Sequence, residues 1–344
     1  MRRRFLILRS NDIAEKYLTI EALEDGLIAR LSRSDCEYCI DGSGDWKPLG
    51  AENNTESINT GQILSFRGNI IPTGFGGIGT FSITKSCNIM GNSLSMLYRD
   101  DAMDIKSIRG KTYAFYRLFA GCSVIKKVSA NFLPATALEY NCYDSMFYGC
   151  TSLTTAPELP VTTLANGCYS SMFYGCTSLT QAPELPATTL ADSCYSSMFR
   201  GCTSLTQAPE LPATTLADSC YTSMFRGCTS LTQAPELPAT TLADSCYTSM
   251  LQECIRLTTA PELPATTLAD YCYYSMFRGC STLNYIKALF TTTPSSSYTL
   301  NWVLGVASTG TFVKNPDAKW DVVGDSGVPR GWTVKFDGEE DGGG

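Results

Sequence analysis

The phrase C-Y-x-S-M-F-x-G-C-T-S-L-T-x-A-P-E-L-P-A-T-T-L-A begins at Cys142 and returns, with small variations, at Cys168, Cys194, Cys220, Cys246 and Cys272. This fixed 26-residue step constrains the fold more than any other feature of the chain. Each copy is too short to bury its own apolar face, so the copies must stack on one another. A stack of like units is a long rigid surface, and such surfaces bind partners more often than they transform them.

One unit shows how the stack is expected to form. Leu190, Cys194 and Met198 recur at i, i+4 and i+8, with Tyr195 and Phe199 beside them. That stripe predicts a helix of two to three turns, started by Thr188 or Thr189 and ended by Gly201. Thr203 to Ala208 then predicts a short strand, cut off by Pro209 and Pro212, which recur in every regular unit and cannot donate to a ladder. One helix and one strand per 26 residues is the layout of a leucine-rich-repeat coil, with parallel strands stacked about 4.8 Å apart. The first copy is irregular: Leu118 and Phe119 stand for Met and Phe in Phe115 to Cys122, and two extra residues follow. The regular run ends at Cys280 to Leu283.

The flanks are different in texture. From Tyr17 short alternating runs (Leu18 to Ala22, Leu27 to Leu31, Gln62 to Phe66, Gly79 to Ile83) are separated by Gly- and Asp-rich turns, with Trp46 assigned to the core and a sugar-stacking platform as the alternative. That spacing predicts a β-sandwich over 17–110. Beyond the repeats, assigned to 111–284, Trp302, Thr311 to Val313, Trp320 and Trp332 to Val334 predict a β-rich cap over 285–336. Residues 1–16 form a basic lead and 337–344 a flexible acidic tail. The expected fold class is therefore α+β, a leucine-rich-repeat solenoid between a β-sandwich and a β-rich cap.

Composition removes several function classes. The chain contains no His, and so lacks the commonest general base, the commonest metal ligand and any Ser-His or Cys-His pair. The net charge is −7, and no Lys lies between Lys127 and Lys287, which argues against a nucleic-acid partner. No run approaches the roughly 18 apolar residues of a membrane helix, so membrane insertion is not expected. Met1 to Arg9 begins like a secretion signal, but the apolar run Phe5 to Leu8 is too short for one. Twelve of the sixteen Cys occupy two fixed repeat positions, which reads as columns of reduced, buried thiols. The one C-x-x-C, Cys36 to Cys39, has no His partner. No catalytic residue, metal site or cofactor is assigned.

Candidate binding residues come from the positions at which the units differ. Before the Gly of x-G-C stand Tyr148, Tyr174, Arg200, Arg226 and Arg278, with Gln252 at the same register. Tyr and Arg are the types most enriched at binding hot spots, although Arg at a helix end also suits the dipole. A second register holds Thr155, Gln181, Gln207, Gln233 and Thr259, readable as an amide ladder or as a surface offered to a glycan. A third, Glu158, Glu184, Glu210, Glu236 and Glu262, is a column of like charge that must be solvated or bridged by a cation. Carboxylate pairs for glycoside hydrolysis need one cleft, and identical units offer columns instead.

The phrase S-M-F-x-G-C-T-S-L-T-x-A-P-E-L-P resembles the BspA-like class of leucine-rich repeats, abundant in surface proteins of gut Bacteroidales and in phages of those bacteria; the likeness covers about residues 111–284. "ALEDG" and "CEYCIDGSGDWKPL" resemble the β-domain that often precedes such repeats, and "GTFVKNPDAKW…GVPRGWTV" their usual ending. The resemblance implies a non-enzymatic binding or adhesion protein, at the cell surface or outside the cell, recognising a host extracellular-matrix protein, a bacterial surface protein or a glycan. The alternative it implies is a phage fibre or decoration protein.

Overall fold

The computed structural model describes residues 14–33, 35–50, 52–72 and 74–339. Most of the basic lead and the end of the acidic tail lie outside them. Strands β1 (Leu18–Ala22), β2 (Ala29–Leu31), β3 (Cys36–Ile40), β4 (Lys47–Pro48), β5 (Ile63–Gly68), β6 (Phe81–Ile83) and β7 (Cys87–Met90) come before the repeats, and β8 (Ile125–Val128) lies in the first, irregular unit. Six of these form one sheet in the order β4-β3-β5-β1-β7-β8, and β2 and β6 pair with each other. β1 sits between β5 and β7, antiparallel to both. Both of its faces are covered: Leu18 and Ile20 are buried on one side and Thr19 on the other, its hydroxyl 3.0 Å from that of Ser65. The expected sandwich of two facing sheets is thus corrected to one main sheet with a two-stranded companion. β8 joins β7 in parallel, and a bridge from Lys127 to Thr155 carries the pairing into the next unit.

The repeats correct the expected fold class. Among the described residues the strands lie in three small separate sheets, and between β8 and β9 (Tyr285–Ala288) there is neither a strand nor an α-helix. Among the described residues, helix amounts to residues 14–16, the four residues of α1 (Ser95–Tyr98) and three 3-10 turns. A leucine-rich-repeat solenoid with a helix and a strand in each coil is therefore not what this chain forms. The Thr203 to Ala208 segment makes a single bridge, Gln207 to Gln233, and Thr163, Thr189 and Thr215 make another line of single bridges.

The reason lies in the segment read as a helix. Cys194, Met198 and Cys202 each donate their N–H three residues back, to Ala191, Tyr195 and Phe199, closing four-residue turns. The third residue of each turn, Ser193, Ser197 or Gly201, has φ of 54°, 56° or 73°. A left-handed residue every fourth position is incompatible with an α-helix. The N–H groups in between leave the unit: those of Ser193, Tyr195, Ser197, Phe199 and Gly201 donate to the carbonyls of Asp218, Cys220, Thr222, Met224 and Arg226. Half of the amides therefore close turns, and half bind the next unit in register. Both a helix and this run of turns place apolar side chains four residues apart, which is why the stripe predicted the wrong element.

Like side chains consequently lie on like. Tyr169, Tyr195, Tyr221, Tyr247 and Tyr273 stack with centroids 6.0 Å apart, and Phe147, Phe173, Phe199 and Phe225 at 5.7–5.8 Å, all nearly parallel. One continuous hydrophobic core runs from Leu18 to Trp332. At the first end the Phe column finishes on Phe81 of β6, 5.2 Å from Phe119. At the other, Trp302 closes the Tyr column 6.1 Å from Tyr273. There β9, β10 (Thr311–Lys314) and β11 (Thr333–Phe336) form a three-stranded parallel sheet, with Thr311 opposite Tyr285 and Thr333 opposite Thr311.

Units that meet through identical contacts can be removed whole. A chain lacking residues 194–219 is expected to unfold cooperatively at nearly the parent temperature, whereas Phe199→Ala, which breaks one column, should cost about 3–5 kcal/mol. Thermal and urea unfolding of the two variants checks this ordering; a deletion less stable than the point variant would contradict it.

Candidate functional surfaces

The thiols are consumed by the core. All sixteen Cys are free and buried. In the second repeat column each S–H donates to a carbonyl of an earlier unit, as Cys202 does to Phe173 at 3.1 Å and Cys228 to Phe199 at 3.1 Å. Burial pushes the thiols of Cys194, Cys220 and Cys228 up to about 12, so they stay protonated and non-nucleophilic at neutral pH. Cys36 and Cys39 are buried in β3. Among the described residues no group of three or more Cys, Asp or Glu is placed to hold a metal ion, and no helix is long and apolar enough to cross a membrane.

The Tyr/Arg register does come together, as a column that is largely satisfied internally. Tyr148 and Tyr174 stack at 4.7 Å. The Arg117 guanidinium lies 5.6 Å from the Tyr148 ring and that of Arg200 5.2 Å from Tyr174, so cation, two rings and cation form one pile. Each ring thus has a ring on one side and a guanidinium close by, while Tyr148 stays exposed. Arg226 meets Glu253 at 3.5 Å. Gln252 is buried and donates to Glu253 at 2.9 Å, which removes it from the accessible set. Arg278 is exposed and has no ion pair among the described residues.

The other two registers are exposed. Gln181, Gln207 and Gln233, with Thr155 and Thr259, all face solvent. Glu158, Glu184, Glu210 and Glu236 have no ion pair among the described residues, while Glu262 meets Lys287 at 3.3 Å. Between successive P-E-L-P bends open shallow hollows of 380–470 Å³. These hollows repeat one lining of Ala, Pro, Glu and Leu, so they bring no unlike titratable groups together.

Two features escaped the sequence reading. Trp46, assigned to the core, is half-buried at the edge of the main sheet, with the Arg67 guanidinium 4.1 Å from one ring and the Tyr17 ring 4.8 Å away. Arg67 is held there by Glu37 at 2.9 Å and Asp100 at 3.1 Å. The second is an aromatic group at each end of the turn face: Phe75, Tyr113, Tyr116 and Tyr140 at the first unit, Tyr271 and Tyr274 at the last regular one. The signal was present, since Tyr271 and Tyr274 replace the Ser and Thr of Ser245 and Thr248.

Comparison of the chain with protein-family models, with curated proteins and with solved structures found no match.

The buried thiols set a pH dependence. Their folded pKa lies above the unfolded value of about 8.5, so the folded chain holds protons that the unfolded chain gives up. That stability is complete below about pH 8.5 and is lost as pH rises toward about 12. Urea midpoints should therefore fall steadily above pH 9, and a thiol reagent at pH 8 should label the native protein hardly at all and all sixteen Cys in urea. Rapid labelling of the native chain would contradict the packing described.

Proposed function

We propose that this chain is a non-enzymatic recognition protein that binds a cell-surface or matrix protein or glycan through the outer face of its turns. One observation carries the reading. Inward registers keep Cys, Tyr, Met and Phe with little change, while outward registers on the turn face change from Tyr to Arg and from Ser to Tyr along the stack. A surface that varies over an invariant core is a surface free to be fitted to a partner. The absence of His and the protonated, buried thiols support a role without chemistry. The likeness of the repeat phrase to BspA-like surface proteins points to the same kind of work.

The test is adsorption of labelled protein to intact gut Bacteroidales cells, with immobilised matrix proteins in parallel. Saturable binding to either is expected, and binding to neither would overturn the proposal. Arg200, Arg226 and Arg278 border the turn face, and their combined replacement by Ala should weaken adsorption about tenfold with little change in unfolding temperature. Unchanged adsorption would move the contact away from that border.

A further inference from the structure

The two aromatic groups occupy the same registers at opposite ends of one face. Seven rungs follow one another through N–H to carbonyl bonds: Tyr113 to Tyr140, Asn141 to Asn166, Gly167 to Asp192, Ser193 to Asp218, Ser219 to Asp244, Ser245 to Asp270, and Tyr271 to Ser297. Tyr113 and Tyr271 thus stand at equivalent positions six steps apart, about 29 Å at strand spacing. Both have φ of 56°, a conformation that bulky residues rarely adopt. Each makes an edge-on pair with the Tyr three residues later: Tyr113 with Tyr116 at 5.7 Å, and Tyr271 with Tyr274 at 6.2 Å.

Much of this aromatic surface is open. Phe75 is 73% exposed, Tyr271 50% and Tyr140 45%. Phe75 rides on a turn whose Gly77 packs so closely on the backbone of Tyr113 and Tyr116 that a Cβ there would lie 2.9 Å from the Tyr113 carbonyl oxygen. The turn is held against the first unit, and the Phe75 ring rests 4.6 Å from that of Tyr113. Neither platform feeds the core columns, which already end on Phe81 and Trp302.

The chemistry between the platforms defines the ligand. Ser193, Ser219 and Ser245 occupy the Tyr113/Tyr271 register, and their hydroxyls make no hydrogen bond among the described residues. Beside them runs a row of exposed carboxylates. Asp218 and Asp244 each use one oxygen to accept the backbone N–H of the next Asp, at 3.2 and 3.1 Å, leaving the other oxygen to solvent. A row of carboxylates repels an anionic polymer and accepts hydrogen bonds from hydroxyl groups. Aromatic rings at both ends, with hydroxyls and acceptors between, match an extended chain that is uncharged, apolar on its ring faces and rich in hydroxyls at its edges.

We infer that the line from the Phe75–Tyr140 platform to the Tyr271–Tyr274 platform is a binding track for a neutral linear polysaccharide. This assignment rests on the recognition role proposed above and names its ligand class. The sugar rings pack on Phe75 and Tyr140 at one end and on Tyr271 at the other, and the Ser and Asp side chains bond the hydroxyls between.

Affinity electrophoresis of the full chain in gels containing hydroxyethylcellulose, galactomannan or xylan, with polygalacturonate and heparin as charged comparators, tests the track. Retardation by at least one neutral polymer is expected, unaffected by high salt and absent with the charged ones. Phe75→Ala, Tyr140→Ala and Tyr271→Ala, all at exposed positions, should each weaken it about tenfold without lowering the unfolding temperature. A trisaccharide of the bound polymer, long enough for one platform but far shorter than the span between the two, should bind more weakly than the polymer. Binding to none of the neutral polymers, binding indifferent to the three substitutions, or preference for the charged polymers would each overturn the track. Cell adsorption that persists in the triple aromatic variant would overturn it while leaving the recognition role intact; failure of the unmodified chain to adsorb to either cells or matrix proteins would remove the role itself.

Discussion

Everything in the repeat region depends on how its amides divide their hydrogen bonds. In each turn run, alternate N–H groups close a four-residue turn and the rest donate to the neighbouring unit. That division exists because every fourth residue is left-handed, and for Ser197 and its counterparts this costs about 1–2 kcal/mol each. The cost is met by pairing every amide along the run, since a buried backbone N–H left without a partner would cost about as much again. One inserted residue would exchange the two sets of amides and turn the Cys and Met columns outward. The 26-residue period is thus the condition under which each unit's donors meet the next unit's acceptors.

The same condition places identical side chains on one another, with opposite consequences inside and outside. Inside, it favours rings and thiols, which stack on copies of themselves without charge repulsion: Phe199 between Phe173 and Phe225, Tyr195 between Tyr169 and Tyr221. Outside, it repeats charges at short range. The chain answers with breaks in the pattern. Glu253 replaces the usual Gly beside Gln252 and neutralises Arg226, and Lys287 meets both Glu262 and Asp337 where the Glu column ends. The Arg117–Tyr148–Tyr174–Arg200 pile alternates cations with rings in the same way. A register that looked like a set of hot spots is therefore in good part a solution to crowding along a column.

The sequence disclosed the stacking, the period, the irregular first unit and the burial of the Cys columns, because each follows from which residues recur. It did not disclose the secondary structure within a unit. Leu190, Cys194 and Met198 satisfy a helical stripe, yet a spacing of four in every step, with no three-residue step, is equally the mark of successive four-residue turns. Ser at the left-handed position gave no warning, whereas Gly at every such position would have done so. In the N-terminal region the alternation of Leu18, Ile20 and Ala22 located β1, but pattern alone could not show that five other strands would join it in one sheet. Of the candidate site, the Tyr/Arg register was legible from its variation. The aromatic platforms were not, because Phe75 belongs to a Gly-rich turn distant in sequence from Tyr113.

Translational repetition also decides where function can reside. Catalysis needs several different groups converging on one point, whereas identical rungs present the same group again at every step. A repeated surface suits an extended ligand that itself repeats, each rung adding a weak contact to the last. Unlike groups are neighbours where the pattern breaks, and the aromatic breaks on the turn face lie at its two ends, where Tyr113 and Tyr116 meet Phe75 and where Tyr271 meets Tyr274. Those ends can grip while the middle only guides. The length of what is gripped is then set by the number of units between the platforms, so adding or deleting a unit would alter the span of the track without altering the chemistry at either end.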